Sequence, residues 1–179
     1  MKEVDLMKQR KTDEKGFTMI EVIVTLILVG ITAALAGMWI VSVANGYIFA
    51  KMNASTTQKA QLAMTRLVKE FSAISAITAA TADSITYTRN NSTLGSLTGQ
   101  IVSKIGGDLK LNTANTLTDS VNTFVLSYCD DIITTSGTPS QTCGASWSST
   151  SRIIVITLTL TGANNTTSTF TQRVTPRNL

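Results

Sequence analysis

The chain has 179 residues and a mass of 19.1 kDa; 43% of it is hydrophobic and only 15% charged, with two cysteines and no histidine. That length suits one ordinary domain plus an extension, and the missing histidine excludes Ser-His or Cys-His nucleophile pairs and histidine-ligated metals built from this chain alone. The net charge of +4 is mild and its basic residues are scattered, so it leaves no strong nucleic-acid footprint.

The charges are unevenly placed. Nine of them fall in the first fifteen residues, from Lys2 to Lys15, five basic and four acidic. After Glu21 none appears until Lys51, which makes Val22 to Ala50 an uncharged run of 29 residues. Its first 23 residues, Val22 to Ala44, are almost wholly apolar and as a helix would reach roughly 35 Å, enough to cross a hydrocarbon core of about 30 Å. A soluble core helix of that length would show a polar face, and this one does not. Basic residues cluster before the span, while Lys51 and Lys59 are the nearest after it. The positive-inside bias therefore puts the N-terminus in the cytoplasm and the rest across the membrane.

Beyond Ala50 the apolar residues thin to a stripe. Ala60, Met64, Leu67, Phe71 and Ile74 recur at helical spacing, with Lys59, Arg66, Lys69 and Glu70 off that stripe. The pattern predicts one helix from Phe17 to about Thr81, apolar all round in its first half and amphipathic in its second. The striped face is expected to cover a sheet.

From Ser84 onward the chain reads as strands and turns. Ser84–Arg89 is short and β-branched, and Leu109 and Leu111 alternate with Lys110 after Gly106-Gly107. Val121–Asp130 would put Asn122, Phe124, Leu126 and Tyr128 on one face and Val121, Thr123, Val125 and Cys129 on the other. Ile154, Ile156, Leu158 and Leu160 alternate against Val155, Thr157 and Thr159, the clearest strand signal in the chain. Gly162–Asn165 offers a turn, and Thr166–Val174 can return as the hairpin partner. Threonine suits an exposed strand face, so this Ser/Thr-rich region reads as a sheet surface and not as a linker. About 95 residues bury little core alone, so the helix stripe should complete it. The fold class is α+β: a long N-terminal helix packed by its second half on an antiparallel sheet. The expected segments are 1–16, 17–50, 51–82 and 83–179.

Cys129 ends one predicted strand, and Cys143 follows a loop containing Gly137 and Pro139. An oxidising compartment favours a disulfide over two buried thiols, and zinc is improbable without a second pair or a histidine. Asp130-Asp131 could form a calcium corner but more often sit in a solvated loop. Asn53, Asn90, Asn91, Asn164 and Asn165 match N-x-Ser/Thr sequons, as chance provides in so Thr-rich a chain. Direct DNA binding has only Lys104, Lys110, Arg152, Arg173 and Arg177 to support it. No phosphate loop, paired catalytic acids or nucleophile motif is visible. An enzyme is the weakest reading, and no cofactor is expected.

The informative stretch is Lys15-Gly16-Phe17-Thr18-Met19-Ile20-Glu21-Val22. A carboxylate bordering an unbroken membrane segment costs free energy and is a functional candidate when a partner can be named. In the intact chain Lys15 or the interface could serve. A cut between Gly16 and Phe17 would create an α-ammonium one helical turn before Glu21, on its own helix or on a neighbouring copy, and the two charges would neutralise each other in lipid.

These residues resemble the class III signal of type IV prepilins and pseudopilins: a basic leader ending in glycine, then Phe, a few apolar residues, Glu, and an apolar helix. Gly16, Phe17 and Glu21 match, and Gly30 stands where many of these proteins carry glycine. The resemblance spans roughly residues 11–45. It implies cleavage after Gly16 by prepilin peptidase, N-methylation of Phe17, and Glu21 as the assembly carboxylate of a filament subunit. It also implies other major and minor pilins, the inner membrane and assembly platform proteins as partners. Major pilins usually carry proline where this chain has Met38, and commonly a disulfide loop at the extreme C-terminus, whereas Cys143 lies 36 residues from Leu179. Both departures point to a minor pilin or pseudopilin. Glu21 argues against the tip pseudopilin of type II secretion. Gln58-Lys59-Ala60-Gln61-Leu62 and the ending Pro176-Arg177-Asn178 are similar to the PilW-like minor pilins or J-type pseudopilins. Two rivals stand beside this reading. One is a secretory signal cut after Ala34-Leu35-Ala36; the other is a single-pass anchored binding or sensor module with its leader retained.

Overall fold

The computed structural model of the chain describes residues 16–179, apart from 92, 94, 132, 136 and 137. Of the expected leader 1–16, only Gly16 falls among them; Lys15 and loop residue Gly137 lie outside the described residues. The chain divides into two compact units at Gly46/Tyr47.

Helix α1 runs Met19–Ser72. Up to Gly46 its side chains are exposed all round. From Tyr47 on, one face is buried through Ala60, Ala63, Met64, Leu67 and Phe71, the face that the stripe marked. The helix stops nine residues short of Thr81. Ile74–Ala80 is instead a strand, β1, so the expected segment 51–82 holds the end of a helix and the first strand of a sheet. Ile74 is fully buried in this conformation too. Its position on the helical stripe therefore could not separate the two outcomes, and the ladder to the next strand decided between them.

Two larger antiparallel sheets form where a single sheet was expected. The first is a meander in chain order: β1, β2 (Ser84–Asn91), β3 (Gly95–Ile105), β4 (Asp108–Leu111) and β5 (Asn115–Thr118). The second takes β6 (Val121–Asp130), β9 (Cys143–Gly144), β10 (Ser151–Thr161) and β11 (Thr167–Val174) in the order β11-β10-β6-β9. A short hairpin, β7 (Ile133–Thr135) with β8 (Thr138–Ser140), completes the set. The Ser/Thr-rich region is thus sheet, and β10 pairs with β11 residue for residue from Ile154↔Val174 to Thr161↔Thr167.

On β10, Ile154, Ile156, Leu158 and Leu160 are fully buried. On β6, Phe124, Leu126 and Tyr128 point inward as expected, but Asn122 is exposed and Val121 buried. A register shift between Thr159↔Thr123 and Leu160↔Val121 leaves Asn122 as the extra residue of a bulge, which turns Val121 to the core face. The helix face joins Ile85, Tyr87, Val102, Leu109 and Leu111 of the first sheet and the inward residues of the second in one apolar cluster.

Glu70 sits within this interior, 2% exposed, although its place off the stripe suggested solvent. Arg66 Nε approaches one of its oxygens at 3.2 Å, Arg89 Nε the other at 3.1 Å, and the Tyr87 hydroxyl donates to the carboxylate at 3.5 Å. Burial first, and then the Glu70 charge, push the Tyr87 phenol far above its ordinary range. Burial and then Asp83 do the same for Tyr128, whose hydroxyl donates to the Thr81 carbonyl at 3.0 Å.

The β10–β11 turn is held by the helix. Asn53 Oδ1 accepts from the Ala163 N–H at 3.1 Å and from the Thr166 hydroxyl at 3.3 Å. Asn164 and Asn165 take φ of 52° and 57°, the left-handed region that asparagine tolerates better than most residues. Asn53 thus has a structural task that its sequon match did not suggest.

Candidate processing and assembly site

Gly16, Phe17 and Thr18 precede the first turn of α1 in non-helical backbone, and Phe17 is 82% exposed. Thr18 is the N-cap: its hydroxyl accepts the Glu21 N–H at 3.3 Å, and its carbonyl accepts the Glu21 and Val22 N–H groups at 3.1 and 3.2 Å. Thr18-Met19-Ile20-Glu21 has the S/T-x-x-E spacing of a capping box ahead of an apolar run, a signal legible in the sequence that the resemblance to a signal peptide overshadowed. Glu21 stands in the first turn, where its charge meets the positive end of the helix dipole. Among the described residues its carboxylate has no hydrogen-bond or ion-pair partner. Nothing among the described residues lies within 4 Å of where a Cβ on Gly16 would stand, so their packing does not demand a glycine there.

Downstream, α1 is long and apolar enough to cross a membrane by length and composition. All but four of the exposed large apolar side chains among the described residues lie between Phe17 and Met52; the others are Leu62, Ile105, Val125 and Leu179. A patch this continuous calls for lipid or partner helices as its solvent. The Ala34-Leu35-Ala36 site of the secretory rival lies inside this helix, whereas the Gly16–Phe17 bond lies in the kind of non-helical, exposed backbone that peptidases cleave.

Residues 11–37 match the family model described as the prokaryotic N-terminal methylation motif. The chain carries a type IV pilin-like class III signal peptide. Searches of curated proteins and of solved structures return nothing that matches the chain. The signal peptide points to prepilin-type processing and to a pilin-type structural protein, and it implies prepilin peptidase and other pilins as partners. A single long helix on antiparallel sheets fits the pilin fold, and the apolar helix near the N-terminus fits single-pass anchoring.

The remaining candidates resolve locally. Cys129 and Cys143 form a disulfide between directly paired residues of β6 and β9. Asp130 accepts the Thr150 hydroxyl at 2.8 Å, and no cluster of three or more His, Cys, Asp or Glu able to hold a metal occurs among the described residues. Four of the five scattered cations are engaged nearby: Lys104 with the Asn122 carbonyl, Lys110 with Asp108, Arg152 with the Ser149 and Ser151 carbonyls, and Arg173 with Gln141; the fifth, Arg177, donates its backbone N–H to the Ser72 carbonyl at 3.2 Å.

Proposed function

We propose that the protein is a minor pilin or pseudopilin. Prepilin peptidase cuts it between Gly16 and Phe17, Phe17 is N-methylated, and the mature chain assembles into a type IV pilus or type II secretion pseudopilus. Before assembly it spans the inner membrane once, N-terminus in the cytoplasm, with 17–50 as the membrane and assembly segment. Glu21 is the assembly carboxylate. In lipid its charge is met by the Phe17 ammonium of a neighbouring subunit, which sets the axial register between packed helices. Assembly platform proteins and other pilins are its partners.

The observation that carries this reading is the junction itself: an exposed, non-helical Gly16–Phe17 bond one turn before a Glu21 that has no partner among the described residues, at the head of an exposed apolar helix. The test is the mature N-terminus in cells with active prepilin peptidase. Mass spectrometry should find methylated Phe17. A chain starting at Gly37, or one retaining its leader, would overturn the proposal in favour of a secreted or a permanently anchored module.

A further inference from the structure

Lys51 is the first charge after Glu21 and directly follows the uncharged run. Beside it, within the Tyr47–Leu179 unit, lies a cavity of about 780 Å³ whose lining is both apolar and polar. Tyr47, Ile48 and Met52 in its lining are exposed; Lys51, Ser55 and Ser120, which carry an ammonium and two hydroxyls, line it as well. Charge in the lining is unbalanced by one. Lys59 spends its ammonium on both oxygens of Asp119, at 2.8 and 3.0 Å, while Lys51 has no counter-ion among the described residues. The turn that supplies Asp119 to Lys59 also brings Ser120 to the cavity, at φ 57°, a conformation serine adopts at a cost.

An apolar hollow alone would take a hydrocarbon, and a lone surface lysine would be left to water. One unmatched positive charge beside hydroxyl donors and exposed apolar side chains fits an amphiphile with a single negative charge. Its place, one residue past a membrane-length apolar run, is where lysine and tyrosine partition to headgroups. We propose that this cavity seats the phosphodiester of an anionic membrane lipid. Lys51 pairs with the phosphate, the Ser55 and Ser120 hydroxyls donate to its oxygens, and Tyr47, Ile48 and Met52 lie against the upper acyl chain. The contact holds the folded part at the leaflet before assembly and is broken when the subunit leaves the membrane. This rests on the reading of Val22–Ala50 as membrane-embedded.

The test reconstitutes the full chain into bilayer discs of phosphatidylcholine, with or without phosphatidylglycerol, and maps lysine acylation by mass spectrometry. Phosphatidylglycerol should lower Lys51 labelling several-fold relative to exposed Lys69. Ser120→Gly, which the positive φ favours and which therefore folds, should restore part of the labelling. Lys51→Gln should abolish selective retention of phosphatidylglycerol in native mass spectrometry. Equal Lys51 labelling in both kinds of disc overturns the proposal. So does equal protection by inorganic phosphate added to phosphatidylcholine discs, which would mark a free-anion site. Failure to enter discs of either composition refutes the membrane reading itself, an outcome distinct from insertion without protection.

Discussion

Arg89 places its Nε 3.1 Å from the Glu70 carboxylate, joining β2 to the last turn of α1. An acid near a helix C-terminus faces the negative end of the dipole, and a buried one also loses its water, so Glu70 is tolerated because Arg66 of its own helix and Arg89 of the sheet both meet it. The approach is an ion pair and not an aligned hydrogen bond, because Arg89 Nε is buried without a hydrogen-bond partner among the described residues. Arg89→Met should destabilise the folded part by about 2–4 kcal/mol, since it removes the more buried of the two cations that meet Glu70 and leaves one carboxylate oxygen to the Tyr87 hydroxyl alone. Arg66 is half exposed, and Arg66→Met should cost about 1 kcal/mol or less. Thermal unfolding of the full chain in mild detergent measures both, and equal losses would contradict this division of labour.

The helix–turn latch should show as coupling between two positions. A Cβ on Gly162 would stand 2.5 Å from Asn53 Oδ1, so Gly162→Ala must displace the side chain that accepts from Ala163 and Thr166. The expected loss is about 1–2 kcal/mol. In an Asn53→Ala background the same change should cost close to nothing, and a double-mutant cycle from denaturant midpoints reads the difference.

Replacing Cys129 and Cys143 with serine opens the bridge between β6 and β9. The chain-entropy model expects a loss of about 3 kcal/mol for a loop of this size. Comparing unfolding of oxidised, reduced and double-serine protein checks it: the reduced and serine forms should coincide, both below the oxidised one.

Alkaline titration should find two silent phenols. Tyr87 and Tyr128 are held protonated by burial, so neither should contribute phenolate absorbance up to about pH 11 while the fold persists. The unfolded chain releases those protons near an ordinary phenol pKa and the native state does not. The unfolded state thus binds fewer protons above that point, and stability falls as pH rises. Denaturant midpoints measured between neutral and strongly alkaline pH should drop accordingly, and Tyr87→Phe should flatten part of that slope.

Two substitutions separate the capping and assembly roles at the junction. Thr18→Ala removes the hydroxyl that accepts the Glu21 N–H, so it should fray the first turn by about 1 kcal/mol and speed exchange of that amide. Glu21→Val keeps the cap, because the bond uses the backbone of residue 21, but deletes the charge. It should insert and be processed yet enter filaments poorly, whereas Gly16→Ala should accumulate as precursor. Incorporation of Glu21→Val at wild-type stoichiometry would sink the pairing argument.

What the residues determine by themselves is whatever depends on near neighbours. The charge gap from Val22 to Ala50, the Gly16-Phe17-Glu21 junction, the buried helix stripe and the alternation of β10 all express local periodicity, and each was legible without coordinates. Strand β3 was not: Gly95 and Gly99 interrupt it with φ of 74° and 66°, and it exists because β2 and β4 flank it. Tertiary structure also decided where α1 ends, because Ile74 fits the helical stripe yet is fully buried as a strand residue, and its pairing with Arg89 of β2 breaks the tie. It turned Val121 inward through a bulge set by β10, and it buried Glu70 by bringing Arg89 to it from nineteen residues away. Composition and period reveal which side chains avoid water; which backbone ladder and which counter-charge they meet is settled by partners distant in the chain.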